Sequence, residues 1–230
     1  DHDGIEGVKE FLESCEGLGI RGVAGIEFDT KLENEGVEYE LHILGYGFDP
    51  DNEELNSVCS RLKEIRHERN EGLFAALNQM GFGLDLEEME ERSKGGYVGK
   101  PDIARELVRK GLLSEPREAF TEKVFERPEI RSIRKEKLSS REAIRLISEA
   151  GGTAFLAHPA KIREIRGERG SEEFFEELEG IIVALKKLGL KGMECIYPIN
   201  TEEEKFRFIQ LAGKYHLHIS SGTDFHGDGM

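Results

Sequence analysis

Apolar residues along the chain follow two alternating patterns, which together predict an α/β protein. The opening segment 1–4 predicts a helix start, with Asp1 or Asp3 as its N-cap and an apolar face at Ile5, Val8, Leu12 and Leu18. Apolar runs at 23–28, 39–46, 153–157, 191–197 and 217–219 predict strands, and helices are predicted from Ser139 to Ile147, at 172–188 and at 202–214. This strand-then-helix order predicts a parallel sheet, open or closed as a barrel.

The middle of the chain has a different pattern, because it contains no convincing strand. A long helix is predicted at 53–80, followed by helical pieces at 85–91, 101–110 and 116–125. Pro101 fits the first turn of its helix. At 230 residues the chain can therefore be one large α/β domain or a domain that carries an insertion.

Composition and charge exclude several classes of protein. The formal net charge of -15 argues against general binding to duplex DNA, although a local basic groove stays possible. No apolar run reaches the length of a membrane span. The three cysteines, Cys15, Cys59 and Cys195, are widely spaced and form no CxxC motif, as expected of reduced thiols in a cytoplasmic protein.

Imidazoles and carboxylates lie in or near the ends of the predicted strands. Six such residues can converge on one edge of a parallel sheet, where chemistry collects: His2, Glu27, His42, His158, Asp224 and His226. Each has an ordinary alternative, since a lone histidine is usually structural and Glu27 can pair with Arg21. Six together favour divalent metal ions held by mixed imidazole and carboxylate ligands.

These residues belong to an ordered set of motifs that resembles a known superfamily. The set comprises Asp1-His2-Asp3, Gly25-Ile26-Glu27, residues 41–46 (LHILGY), Gly99-Lys100-Pro101, Gly151-Gly152 with Ala157-His158-Pro159, and residues 222–227 (GTDFHG). It resembles the PHP (polymerase and histidinol phosphatase) superfamily, in its branch of metal-dependent phosphoesterases that act on nucleotides. The resemblance covers essentially the whole chain.

The resemblance implies a fold, a domain division and a reaction. The fold would be a distorted (β/α)7 PHP barrel, formed by residues 1–59 and 136–230 and truncated at both ends, with a helical insertion at 60–135 that helps to close the substrate pocket. Two or three divalent ions (manganese, zinc or iron) would be held by His2, Glu27, His42, His158, Asp224 and His226. The substrates would be nucleoside monophosphates, 3′,5′-bisphosphates or short oligonucleotides.

The expected mechanism is attack by a metal-bound hydroxide on the phosphate, because clustered cations neutralise its oxygens and acidify bound water. His158 or Asp224 would assist proton transfer as catalytic residues. Lys100, Arg105 and Arg134 are candidate phosphate contacts. Solvation of a helix start explains Lys100 and Arg105 at least as well, and a solvated linker explains Arg134 better.

Two departures from the superfamily pattern leave alternatives open. The superfamily's opening His-x-His motif would lie before Asp1, and the chain has Asp102 where the branch usually has histidine. Asp102 would place negative charge near a phosphate or act only as a helix cap. A non-catalytic PHP-like module that binds a nucleotide or a partner protein is the main alternative, and a histidinol-phosphatase-type enzyme is the second.

Overall fold

The computed structural model describes residues 2–93 and 98–225. Within them, residues 2–59 and 137–224 form one compact unit, and residues 60–136 with Phe225 form a second. Helix α2 (Glu53–Gln79) begins in the first and ends in the second. None of the helices in the described ranges has the length and apolarity of a membrane span.

A six-stranded mixed sheet organises the first unit, in the order β3-β1-β2-β4-β5-β6. The strands are β1 (Gly25–Asn34), β2 (Val37–Tyr46), β3 (Leu138–Ser139), β4 (Thr153–Leu156), β5 (Gly192–Ile196) and β6 (His218–Ser221). Strand β2 runs antiparallel to both of its neighbours, whereas the pairs β1–β3, β4–β5 and β5–β6 are parallel. The α/β class is confirmed, but the expectation of a wholly parallel sheet is wrong.

A tight hairpin is the reason for the mixed sheet. Strand β1 continues to Asn34, six residues beyond the predicted run, and Asn34 pairs with Val37 across a two-residue turn. The turn residues Glu35 and Gly36 have φ values of 52° and 80°, the positive values that a type I′ hairpin turn requires. Two residues cannot form the crossover that a parallel pair needs, so β2 must run antiparallel.

The helices of the first unit begin where their capping residues predict. Ser139, Ser171 and Thr201 accept hydrogen bonds from the backbone N–H three residues on, starting α6 (Ser140–Glu149), α7 (Glu172–Lys187) and α8 (Glu202–Lys214). These three predicted helices are confirmed. Helix α1 (Val8–Gly17) begins later than predicted, with Gly7 rather than Asp1 or Asp3 as N-cap.

The second unit contains helices joined by loops, and no strand, in its described residues. It contains the end of α2, then α3 (Leu86–Arg92), α4 (Lys100–Arg109), a 3₁₀ helix (Pro116–Phe120) and α5 (Pro128–Arg131). Its core joins residues from all of these elements, among them Leu77, Met89, Leu107, Ala119 and Ile130. The unit therefore has an apolar core of its own.

Candidate metal centre

Strand alternation on the β1–β2 hairpin separates core residues from candidate ligands. On β1, Ile26, Phe28 and Thr30 are buried, and Glu27 projects to the opposite face of the strand. On β2, His42 lies on that same face, and its Nδ1 is 2.8 Å from Oε1 of Glu27. The hairpin register thus brings together two candidate ligands that are fifteen residues apart in the chain.

Backbone hydrogen bonding holds the segment of His2 against strand β1 of the hairpin. It forms a parallel β-bridge with Glu27, and the N–H of Asp3 donates to the carbonyl of Glu27 at 2.8 Å. The His2 ring lies 4.7 Å from the His42 ring, and its Nε2 is 3.9 Å from a Glu27 oxygen. Asp3 is not the predicted helix cap, because its carboxylate accepts a hydrogen bond from the N–H of Asp29.

His158 follows β4 and points at the same carboxylate. Its Nε2 lies 3.0 Å from Glu27 Oε1 and 3.2 Å from His42 Nδ1. Its backbone has φ 21° and ψ 69°, a conformation that a non-glycine residue keeps only when its surroundings hold it there. His158 is thus a buried, backbone-constrained member of the cluster.

Asp224 approaches from the segment after β6. Its Oδ2 accepts hydrogen bonds from Lys161 Nζ at 2.7 Å and from the Tyr197 hydroxyl at 3.0 Å. Lys161 also lies over the Tyr197 ring. Asp224 is therefore half-buried at the same centre, with a cation beside it.

Among residues 2–93 and 98–225, two groups of possible ligands are found, and both contain Glu27. One comprises His2, Glu27 and His42, and the other Glu27, His158 and Asp224; in each, the ligand atoms lie within 4.8 Å of one another. Imidazole nitrogens and carboxylate oxygens suit zinc, manganese or iron, so the donor set fits the divalent ions that the resemblance implies. His226, the sixth predicted ligand, lies outside the described residues.

The protonation of the cluster also suits a cation. Burial alone would raise the pKa of Glu27, but hydrogen bonds from His158 and His42 outweigh it and hold that pKa far below its ordinary value. Burial lowers the pKa of His2 to about 4, although the nearby Glu27 opposes this. An ionised carboxylate and neutral imidazole are the forms that bind metal.

Two further carboxylates near the cluster were not predicted from the sequence. Asp29 lies on the same face of β1 as Glu27, with Oδ1 3.6 Å from His42 Nε2 and 2.9 Å from Lys137 Nζ. Glu194 lies in β5, and its Oε2 accepts the backbone N–H of His158 at 2.8 Å. Two features of the sequence could have indicated these carboxylates. Asp29 lies two residues after Glu27 and therefore on the same face of the strand. Glu194 is an acidic residue inside an apolar strand, where a charged residue is rarely buried without a partner.

Burial dominates the environment of Glu194. It raises the pKa of this carboxyl, with repulsion from Glu27 and Asp224 acting in the same direction, although the N–H of His158 opposes it. Asp224 shows the reverse outcome: burial would raise its pKa, but the bond from Lys161 lowers it.

The predicted phosphate contacts, Lys100, Arg105 and Arg134, all belong to the second unit. Lys100 lies 5.1 Å from the centre of the Phe125 ring, and Arg105 pairs with Asp102 at 2.7 Å. Asp102 also accepts the N–H of Gly99, as expected of a residue that caps α4. A role for these three cations in binding phosphate stays a prediction.

Sequence comparison places the chain beside enzymes that act on phosphate esters. It is 26% identical over 228 residues to phosphoribosyl 1,2-cyclic phosphate 1,2-diphosphodiesterase from Eggerthella lenta, covering 99% of this chain and 81% of that protein. It is also 26% identical to 5′-3′ exoribonuclease Rnm from Escherichia coli and to 3′,5′-nucleoside bisphosphate phosphatase from Chromobacterium violaceum. These matches cover 98% and 100% of this chain, and 73% and 76% of the relatives. No family model matches the chain.

Solved structures give a consistent result. A protein from Bifidobacterium adolescentis, proposed to be a metal-dependent phosphoesterase, superimposes with a TM-score of 0.81 at 26% identity, covering 100% of this chain and 77% of that one. An amidohydrolase from Chromobacterium violaceum, solved with bound sulfate and no metal, superimposes with a TM-score of 0.83 at 25% identity. The match covers 100% of this chain and 76% of that one.

The fold and the candidate centre together define a class, that of metal-dependent hydrolases of phosphate esters. The relatives confirm the predicted resemblance to the nucleotide-acting phosphoesterases of the PHP superfamily and the prediction that the chain is an enzyme of this class. The two structures support a mixed α/β fold with a six-stranded sheet.

Proposed function

We propose that the protein is a phosphoesterase that hydrolyses phosphate esters of nucleotides, namely nucleoside monophosphates, 3′,5′-bisphosphates or short oligonucleotides. The observation that carries this proposal is the sharing of Glu27 by two groups of possible metal ligands. A carboxylate with two oxygens can bridge two cations, and paired cations are a recurrent device for cleaving phosphate esters. The named activities of the relatives supply the substrate class.

We further propose two or three divalent ions, of manganese, zinc or iron. His2, Glu27 and His42 would hold one, and Glu27, His158 and Asp224 a second. A third would need additional ligands such as His226. When bound, the ions would neutralise phosphate oxygens and lower the pKa of a bound water from about 15.7 to about 7.

The protein's own residues would orient the phosphate and move protons. Asp224 holds its carboxylate toward the centre through Lys161 and Tyr197, so it can accept a proton from the attacking water. The imidazole of His158 lies at hydrogen-bonding distance from Glu27 and His42 through its Nε2. It could pass a proton from this nitrogen to the leaving oxygen only in a state in which the nitrogen holds no cation, so its ligand and proton-donor roles are alternatives. The Lys161 ammonium adds positive charge beside Asp224, where a phosphate dianion would be attracted.

The remaining expectations are also proposals. We propose that the six strands are part of a distorted (β/α)7 barrel formed by residues 1–59 and 136–230, and that residues 60–135 are a helical insertion. We propose a cytoplasmic location, which is supported by three buried cysteines that are all free thiols.

Phosphate release from a panel of nucleotides tests the proposed activity. The protein is assayed with added Mn²⁺ or Zn²⁺ against monophosphates, 3′,5′-bisphosphates and short RNA. We expect His158→Ala and Asp224→Ala each to lower the rate by about 100-fold or more, because each removes a group proposed as a metal ligand or a proton carrier.

Glu172→Gln is the matched control, since Glu172 makes an exposed ion pair with Arg207 on the helical surface. Its rate should equal that of the wild type. Unchanged rates in both His158→Ala and Asp224→Ala would contradict the proposal.

A further inference from the structure

Glu194 is a buried carboxylate that belongs to neither group of possible metal ligands. Its strand, β5, lies between β4 and β6 in the sheet, and the residue is only 4% exposed. Burying a carboxylate is costly unless it makes specific contacts, so its contacts indicate what it does. Glu194 contacts the two segments that contain His158 and Asp224.

The first contact fixes the backbone of His158. Oε2 of Glu194 accepts the N–H of His158 at 2.8 Å, within normal hydrogen-bonding distance. The neighbouring N–H of Ala157 donates to the carbonyl of His42, and the N–H of Lys161 donates to the carbonyl of His158. These bonds hold His158 in its positive-φ conformation, and that conformation directs its imidazole at Glu27.

The second contact is with Gly222, two residues before Asp224. A Cβ atom on Gly222 would lie 2.3 Å from Oε1 of Glu194, so the carboxylate occupies the space that any larger residue would need. The φ of Gly222 is not positive, so its backbone would accept alanine, and only the carboxylate stands in the way. Glu194 is therefore packed between the segment of His158 and the segment of Asp224.

We propose that Glu194 is a positioning residue, which holds the backbone of His158 so that its imidazole completes the second ligand group. This inference rests on the proposed function, because it assumes that His158 binds a cation. Glu194 acts as a hydrogen-bond acceptor and as a spacer against Gly222, and it does not itself contact the cation. Residues that orient ligands in this way affect metal affinity by about 10- to 100-fold.

The test measures the affinity of the full chain for Mn²⁺. Electron paramagnetic resonance reports the concentration of the free ion during the titration. We expect Glu194→Ala to weaken Mn²⁺ binding at one site by about 10- to 100-fold. Glu194→Gln should bind nearly as tightly as the wild type, because its amide oxygen can accept the same N–H. An unchanged affinity in Glu194→Ala, or an equal loss in Glu194→Gln, would overturn the proposal.

Glu177→Ala is the matched control for the loss of a buried carboxylate. Glu177 accepts hydrogen bonds from Tyr39 and Arg166, and Tyr39 lies on the face of β2 opposite His42. This variant should lower the melting temperature and leave Mn²⁺ affinity unchanged. If it weakened Mn²⁺ binding as much as Glu194→Ala does, general destabilisation would explain both results and the proposal would fail.

Gly222→Ala provides an independent variant, which tests the proposal whether or not Glu194→Ala folds. The added methyl group must displace the Glu194 carboxylate, so Mn²⁺ binding should weaken in the wild-type background. In the Glu194→Gln background the clash remains and the loss should recur, whereas in a foldable Glu194→Ala background the added loss should be less than about twofold. A full, additive loss on top of Glu194→Ala would show that Gly222 acts independently and would overturn this step.

The two proposals fail in different ways. If the wild-type chain binds no Mn²⁺, the proposed function fails and the role of Glu194 fails with it. If the wild type binds Mn²⁺ and releases phosphate but Glu194→Ala does so equally well, only the positioning role is lost.

Discussion

Three carboxylates with little exposure to water show how far the sequence alone can identify the partners of a residue. Glu27, Glu106 and Glu194 are acidic and largely shielded from water, and each has a different set of partners: histidines, arginines and a backbone N–H. The sequence identified Glu27 because it belongs to a motif. It could not identify the partners of Glu194, because they become neighbours only when β4, β5 and β6 pair.

Glu106 gives a prediction about acid stability at the residue scale. Hydrogen bonds from Arg109, and then from Arg92, lower the pKa of Glu106 from 4.5 to about 2 despite its burial. Because the folded pKa lies below the unfolded one, the stabilisation is complete above pH 4.5 and is lost as the pH falls toward 2. Glu106→Gln should lower the free energy of unfolding at neutral pH by about 1–2 kcal/mol, since the exposed arginines are screened by water.

Urea unfolding at several pH values checks this expectation. The difference between wild type and Glu106→Gln should shrink steadily below pH 4.5. The exposed Glu122→Gln serves as the control and should behave like the wild type. A difference that stays constant down to pH 2 would contradict the assigned pKa.

At the scale of elements, periodicity and capping residues predicted the helices well but not the direction of every strand. Ser139 marked the start of α6, because a cap is a local hydrogen bond that sequence can reveal. The second half of β1 was missed because its buried positions, Thr30 and Leu32, alternate with charged residues and form no apolar run. The turn at Glu35-Gly36, which sets the hairpin, was consequently missed as well.

Substituting alanine at two glycines tests the packing of β5 and α7, because we expect one substitution to lower the stability and the other to raise it. A Cβ atom on Gly192 in β5 would lie 2.1 Å from the Phe155 ring, so Gly192→Ala should cost about 1–3 kcal/mol by overpacking. Gly180 in α7 has open space around its Cβ position, so Gly180→Ala should gain about 0.5–1 kcal/mol from helix propensity. Thermal unfolding measures the melting temperature of both variants. A melting temperature that moves in the same direction in both would contradict this packing.

At the scale of the molecule, the candidate centre exists only because distant parts of the chain fold together. His2, β1, β2, the segment just after β4 and the segment after β6 each contribute one possible ligand. Sequence motifs predicted that these residues lie close together, and their role as metal ligands stays a prediction. The sharing of Glu27 between two groups of possible ligands could be seen only in the structure. That sharing supports the central proposal of this account, in which two cations would depend on one side chain.

Metal stoichiometry measured by elemental analysis tests this claim most directly, with the protein saturated with Mn²⁺ and then freed of unbound ion. The wild type should retain at least two ions per chain, and His2→Ala and Asp224→Ala should each retain one fewer, because each belongs to a single group. Glu27→Gln should retain less than one, because both groups lose their shared carboxylate. Retention of as many ions by Glu27→Gln as by the wild type would contradict the account.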